Sequence, residues 1–318
     1  MGAAQSGPRV INYDANGYDY RNFWKDRDYE NRVEAKLLRS ILKKYQPMNW
    51  FADLGGGFGR NAPIYFPFAR HVVLIDYSWT NLTNAEATLL PDGPNDKLYL
   101  IRGNLYKAPF KDAAFTAGAT VRVIHHLAKI DEALSEMSRI LANRWILDVP
   151  IKNHLFAKAK AALHGGDPEL KSPNPHLVGT EDEPFYNFNL SAIRAECKKL
   201  GWQSQLTASM SNFRRWEKAT PSALRPAAQP FIYSMDALAQ RIGRGWWGPS
   251  QFLQLTRQEE TRNYPEISTL DEPWKTLSAI VQCPLCHAEL NWSNDTAQCT
   301  ACGHVFSRKG AIWDFTGE

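Results

Sequence analysis

The sequence predicts an α/β protein built on a doubly wound parallel sheet, with a small metal-stapled module at its C-terminus. Three observations predict this. Apolar runs that read as strands alternate with amphipathic helical stretches through the first two thirds of the chain. Those runs are near-continuously apolar rather than alternating, the pattern of parallel strands covered on both faces. Four of the five cysteines fall in two CxxC pairs near the end.

The elements follow in order. Tyr29 to Tyr45 reads as a helix, because Val33, Leu37, Leu38, Ile41 and Leu42 share one face, and Pro47 stops it. A strand at 50–52 runs straight into Asp53-Leu54-Gly55-Gly56-Gly57-Phe58-Gly59. Further strands are expected at 71–75, 98–101, 117–123 and 145–149, with a helix at 131–141. A helix at 191–200 ends at Gly201 and leads to a strand at 203–208. A last strand is expected at 251–255. The Pro- and Gly-bearing segments 165–184 and 221–230 read as mobile loops, and 271–278 as a linker. Two domains are expected: 1–275, with an insertion at about 210–250, and 276–318.

Composition narrows the class. Of 318 residues, 44% are hydrophobic and 22% charged, which suits a protein with a real core. The formal charge of +4 permits a polyanionic partner without arguing for one. No apolar run approaches the roughly 18 residues of a spanning helix. The start lacks a secretory apolar stretch, although 1–6 fits the short myristoylation pattern. A cytoplasmic protein with no membrane partner is expected. Paired cysteines then point to metal in a reducing compartment, and the odd one, Cys197, to a small core residue.

The strand-to-helix turn carries the chemistry. Glycines at Gly55, Gly57 and Gly59 let the backbone approach a ligand at the carboxyl edge of the sheet. Asp53 can offset an ammonium charge. Asp76 ends the second strand about twenty residues on, where a carboxylate takes ribose hydroxyls or caps the next helix. The spacing is not that of a P-loop, yet nicotinamide- and phosphate-binding proteins also use such turns.

Phe51-Ala-Asp-Leu-Gly-Gly-Gly-Phe-Gly-Arg60, Val73-Leu-Ile-Asp-Tyr-Ser78 and Val121-Arg-Val-Ile-His-His-Leu127, in this order, resemble the class I S-adenosylmethionine (SAM)-dependent methyltransferases. The resemblance covers about residues 20–210 and is strongest to the branch similar to ubiquinone/menaquinone methyltransferases. It implies a Rossmann-like fold, with Gly55, Gly57 and Gly59 lining the methionine end of SAM. It also implies Asp76 on the ribose and Tyr77 beside the adenine. The family has an acidic residue after the third strand; here Asn104 stands there, and its carbonyl can accept the adenine amino group without charge assistance.

Methyl transfer chiefly requires alignment and exclusion of water, with a general base where the acceptor is a hydroxyl or carbon acid. His125, after the fourth strand, is the candidate base; the alternative is that His125 and His126 only cap and pack the loop. Arg122 can reach an acidic substrate or the SAM carboxylate, or pair with a neighbouring acid. The aromatic segment Tyr18 to Tyr29 folds either as a lid or as ordinary helix packing.

Cys283, Cys286, Cys299 and Cys302 form two knuckles twelve residues apart, the spacing of a four-cysteine zinc ribbon. A closed shell makes that zinc structural, and it supplies stability that about forty residues lack. Gly310-Ala-Ile-Trp-Asp-Phe315 resembles the zinc-ribbon proteins that activate methyltransferases, which implies such a module fused in cis and a possible protein partner for it. From Cys283 onward the net charge is −2, a poor surface for nucleic acid. Between Met210 and Trp247, six basic residues including Arg214 and Arg215 interleave with aromatics, as an RNA surface or, preferably, a cap over the pocket. The expected function is methylation of a small or medium organic acceptor. The alternatives are an RNA or protein methyltransferase guided by its ribbon, and a non-catalytic SAM-binding adaptor.

Overall fold

The computed structural model describes residues 14, 19–45, 47–179, 184–257 and 273–317. The first half runs α1 (Arg21–Trp24), α2 (Asp28–Leu42), β1 (Met48–Leu54), α3 (Ala62–Tyr65), β2 (Ala69–Asp76), α4 (Trp79–Leu89), β3 (Leu98–Arg102), β4 (Phe115–Thr120), α5 (Ile130–Ile140) and β5 (Leu141–Pro150). Next come α6 (Leu155–Leu163), β6 (His176–Leu177), β7 (Tyr186–Asn187), α7 (Leu190–Lys199), β8 (Gln203–Met210), α8 (Arg214–Ala219), α9 (Arg225–Ile242) and β9 (Ser250–Thr256). The C-terminal part is α10 (Pro273–Ser278), β10 (Leu290–Trp292), β11 (Thr296–Cys299), β12 (Val305–Lys309) and β13 (Ile312–Asp314).

β1 shows why the sheet is parallel and buried. Trp50, Ala52 and Leu54 enter the hydrophobic cluster on one face, and Phe51 enters the cluster on the other. A strand apolar on both sides needs cover on both sides, which the crossover helices provide. In α2, Val33, Leu37, Leu38, Ile41 and Leu42 are buried at helical spacing. In α5, Asp131 and Glu132 sit in the first turn and Arg139 in the last, which suits the helix dipole.

The strands order as β3-β2-β1-β4-β5-β9-β8, with β9 antiparallel to both neighbours. The chain leaves β1 first towards β3 and later towards β5, so the topological switch lies between β1 and β4, where doubly wound sheets hold ligands.

The ribbon continues this sheet. β10 to β13 form an antiparallel meander, and β13 pairs parallel with the edge strand β3 through Ile312↔Leu100, Trp313↔Ile101 and Asp314↔Arg102. Phe306, Trp313 and Phe315 join the same cluster as Trp50 and Ile101.

Three segments differ from expectation. In the described part of the expected loop at 165–184, Pro168–Leu170 is a turn of 3-10 helix and β6 pairs antiparallel with β7. The described part of the expected linker, 273–278, is helix α10. The expected loop at 221–230 is a short turn of 3-10 helix followed by the start of α9. Pro226 lies in the first turn of α9, where a missing N–H costs nothing, whereas Pro230 sits inside the helix and gives up one backbone hydrogen bond. Residues 1–6, 18 and 271–272, which other expectations invoke, lie outside the described residues. No described helix is long and apolar enough to cross a membrane.

Candidate functional site

A cavity of about 940 Å³, counting its open mouth, sits at the switch point. Its floor is the turn after β1. Gly55 and Gly56 both donate to the Ile75 carbonyl, at 2.8 and 3.1 Å, which folds the turn against β2. Gly55 has φ +73°, and a Cβ there would meet Val123 at 2.6 Å, so both conformation and space demand glycine. Gly57 (φ +57°) turns its amide onto Asp76, donating to Oδ2 at 2.8 Å. Gly59 is different. It is not among the lining residues, and a Cβ on it would strike Leu89 of α4 at 2.5 Å. It serves close packing of α4 against the turn, away from the cavity.

Two carboxylates face the cavity. Asp53 is 3% exposed; Tyr65 donates to its Oδ1 at 3.4 Å, and its Oδ2 has no partner. Burial pushes its pKa up to about 7. Asp76 also receives Ser78 N–H at 3.0 Å, and burial raises its pKa. Ser78, not Asp76, caps α4, and Asp14 accepts from the Ser78 hydroxyl and from the amides of Trp79 and Thr80. Tyr77 lines the cavity, and Arg102 donates to its carbonyl at 3.1 Å. The same arginine pairs with Asp314 of the ribbon at 2.8 Å. Asn104 lines the cavity too, but its side-chain oxygen accepts from the Tyr106 amide at 2.9 Å in a local turn, which leaves one lone pair over.

The loop after β4 places its histidines in the reverse of the expected order. His126 lines the cavity, whereas His125 is 8% exposed and stacks on Phe185, with ring centroids 4.3 Å apart. The 3-10 turn Ile124–His126 rotates successive side chains by about a third of a circle, so only one of the pair faces the cavity. Burial pushes the pKa of His126 down to about 4, and burial and then His126 and Arg122 lower that of His125 well below the usual range. His125 is not among the residues that line the cavity.

Arg122 also lines the cavity, held at φ +59° with its amide donating to Asp148 at 3.2 Å. Its guanidinium pairs with Glu34 at 2.8 Å, and Arg60 pairs with the other oxygen of the same carboxylate. Burial would raise the pKa of Glu34, but the two arginines hold it near 2. Trp24 lies against both guanidinium groups, at 3.6 Å from Arg60 and 4.9 Å from Arg122. Sequence reasoning missed Glu34 and Arg60. The available signal was Glu30 and Glu34 at i,i+4 on the apolar face of α2, since buried carboxylates there need cations.

Away from the cavity, the thiol sulfurs of Cys283, Cys286, Cys299 and Cys302 lie within 4.8 Å of one another. Cys283 and Cys302 are 3.8 Å apart, and Cys286 and Cys299 3.4 Å. Thiolates at about 2.3 Å from a tetrahedral zinc stand about 3.8 Å apart, so the cluster has the right size and donor set. The backbone amide of Cys302 donates to Cys299 Sγ at 3.4 Å and pulls that thiol down to about 6.

A family profile described as a methyltransferase domain matches residues 52–144, from inside β1 to inside β5. The chain thus carries a methyltransferase domain. No curated protein matches it. Among solved structures it is similar to a chain in a complex containing the Haloferax volcanii Trm112 methyltransferase activator, with 15% identity and TM-score 0.50, over 80% of this chain and 100% of that one. It is also similar to the YcgJ protein of Bacillus subtilis (16% identity, TM-score 0.47, 71% of this chain and 99% of that one). A third is magnesium protoporphyrin IX methyltransferase of Synechocystis PCC 6803 (16% identity, TM-score 0.46, 72% and 84%). These likenesses concern the fold; the methyltransferase's own site must supply the rest.

Proposed function

We propose that the methyltransferase holds SAM across the turn after β1 and passes its methyl group to a small or medium organic acceptor. The observation that carries this is buried Asp53, whose Oδ2 has no partner and which lines a cavity where Asp76 is the other carboxylate among the described lining residues. A buried carboxylate oxygen without a partner is costly, and the ammonium of a methionine moiety would complete it. Asp76, with lone pairs left beyond its amide bonds, takes the ribose. Gly55 and Gly57 lie under the methionine end, with Tyr77 and the remaining lone pair of Asn104 towards the adenine. Arg122 and Arg60 share the one negative charge of Glu34, so the cluster keeps net positive charge with which Arg122 orients a carboxylate.

The bound cofactor supplies an activated sulfonium methyl. The chain's part is to bind, align and keep out water. Tyr20, Trp24, Phe58 and Tyr106 give the cavity an aromatic wall that suits an apolar or planar acceptor. His126 reaches the same space, but a pKa near 4 makes it a weak base and a good hydrogen-bond partner. The four thiolates hold one structural zinc, consistent with a reducing compartment such as the cytoplasm. The nucleic-acid alternative is weaker: Arg214, one of the basic residues invoked for it, is paired with Glu30 at 2.8 Å. The test is calorimetric titration with SAM. Wild type binds, and Asp53→Ala and Asp76→Ala each weaken binding at least tenfold, about the worth of one charge-assisted hydrogen bond. Equal affinity in all three proteins would overturn the assignment.

A further inference from the structure

The outward face of α9 is apolar and no described residue covers it. Phe231, Leu238 and Ile242 fall within about 40° of one another around the helix. They are 64%, 60% and 59% exposed. The face does not end with the helix. The Trp246 indole donates to the Ile242 carbonyl at 3.2 Å, and the Trp247 ring meets both Trp246 and Phe156. Phe156 opens α6, a helix with no buried residue, whose Phe156 and Leu163 are exposed seven positions apart and so share a side.

Charge marks the same surface. Lys160, on the Phe156 side of α6, and Arg241 and Arg244 at the end of α9 are exposed beside it. Residues 153–166 and 219–249 contain one acid, Asp236, and that one is buried against Tyr29 and Gln240. Within these two segments the exposed charged residues are thus all basic, beside aliphatic and aromatic side chains.

We propose that this surface docks the methyltransferase on an anionic lipid membrane, with α9 and the start of α6 lying in the interfacial layer. Apolar side chains beside lysine and arginine match a surface whose interior is apolar and whose headgroups are negative. A second copy of the chain fits badly, because it would set one basic face against another. Nucleic acid fits less well, because exposed Leu163, Leu238 and Ile242 stand among the rings and offer a base nothing to stack on. The position is informative too. β5 ends at Pro150, which pairs with Ser250 at the start of β9, so α6 departs from and residues 243–249 arrive at the carboxyl edge that carries the cofactor cavity. Docking there turns the cavity side of the enzyme towards the lipid. The lack of a spanning run does not bear on this, since an interfacial helix crosses nothing. The proposal is independent of how SAM is held.

Co-sedimentation of the full chain with vesicles tests it. Vesicles of phosphatidylcholine with a third phosphatidylglycerol are expected to retain the protein, pure phosphatidylcholine much less, and added salt to release it. Phe231→Ser/Leu238→Ser/Ile242→Ser is expected to lose about tenfold or more of the partitioning. Arg241→Ala/Arg244→Ala is expected to lose about fivefold per residue on anionic vesicles only. Unchanged SAM affinity in each variant shows that it is folded; if the triple variant is not, the arginine pair decides. No retention by anionic vesicles overturns the proposal. So does single-stranded RNA that binds this surface and displaces the vesicles, or a dimer that the triple variant dissolves.

Discussion

Asp53 is held where water cannot solvate it, and in the proposed SAM site this is expected to make binding sensitive to pH. Its pKa is raised in the folded chain, so its own contribution to stability is full below the unfolded value of 3.8 and is lost as pH rises through about 7. A bound ammonium favours the opposite, ionised form. SAM affinity is therefore expected to be constant above about pH 7 and to fall below it, by up to about tenfold per pH unit. Calorimetry across this range checks it, and Asp53→Asn should flatten the slope; a slope that survives the substitution belongs to another group. At Asp76, replacement by Ala is expected to weaken SAM by about 1.5–3 kcal/mol. His126→Gln is expected to cost turnover less than about a hundredfold, since a hydrogen-bond partner is lost rather than a base, whereas a general base is worth about 100–10,000-fold. A larger loss, with a pH profile that disappears in the variant, would show that the base role is real. That Asp53 and Asp76 line the cavity was legible, because one stands near the end of β1 just before the glycine turn and the other ends β2. The choice between His125 and His126 was not, because it depends on one turn of 3-10 helix that periodicity does not reveal.

At the scale of elements, α2 does more than fill a face of the sheet. Its apolar stripe docks it, and Glu34, on that same stripe, gathers Arg60 from the turn after β1 and Arg122 from the turn after β4. Glu34→Ala leaves two arginines facing each other beside the cavity. The expected loss of stability is about 3 kcal/mol, the lower end for a broken buried pair, because both arginines keep some contact with solvent. Urea unfolding measures this, and a change near zero would mean that water already screens the group. The periodicity of α2, α5 and the parallel strands was plain in the sequence. α9 was half hidden, because two prolines near its start carry the signature of a loop.

Across the whole molecule, the ribbon and the sheet share one core. Strand pairing of β13 with β3 and the burial of Phe306, Trp313 and Phe315 beside Trp50 and Ile101 tie the two together. One equivalent of zinc is expected in reduced protein by elemental analysis. Its chelation is expected to lower a single cooperative melting transition; two separated transitions would show that the ribbon melts by itself. Taken alone, the sequence determined the alternation of strands and helices, the turn after β1, and the four-cysteine cluster, since each is written in spacings of a few residues. Only the tertiary structure decided that Gly59 serves packing, that Glu34 joins Arg122 across 88 positions, and that Arg102, which holds the Tyr77 carbonyl, pairs with Asp314 across 212. The physical reason is range: local periodicity records which face of an element is buried, but not which distant side chain will meet it there.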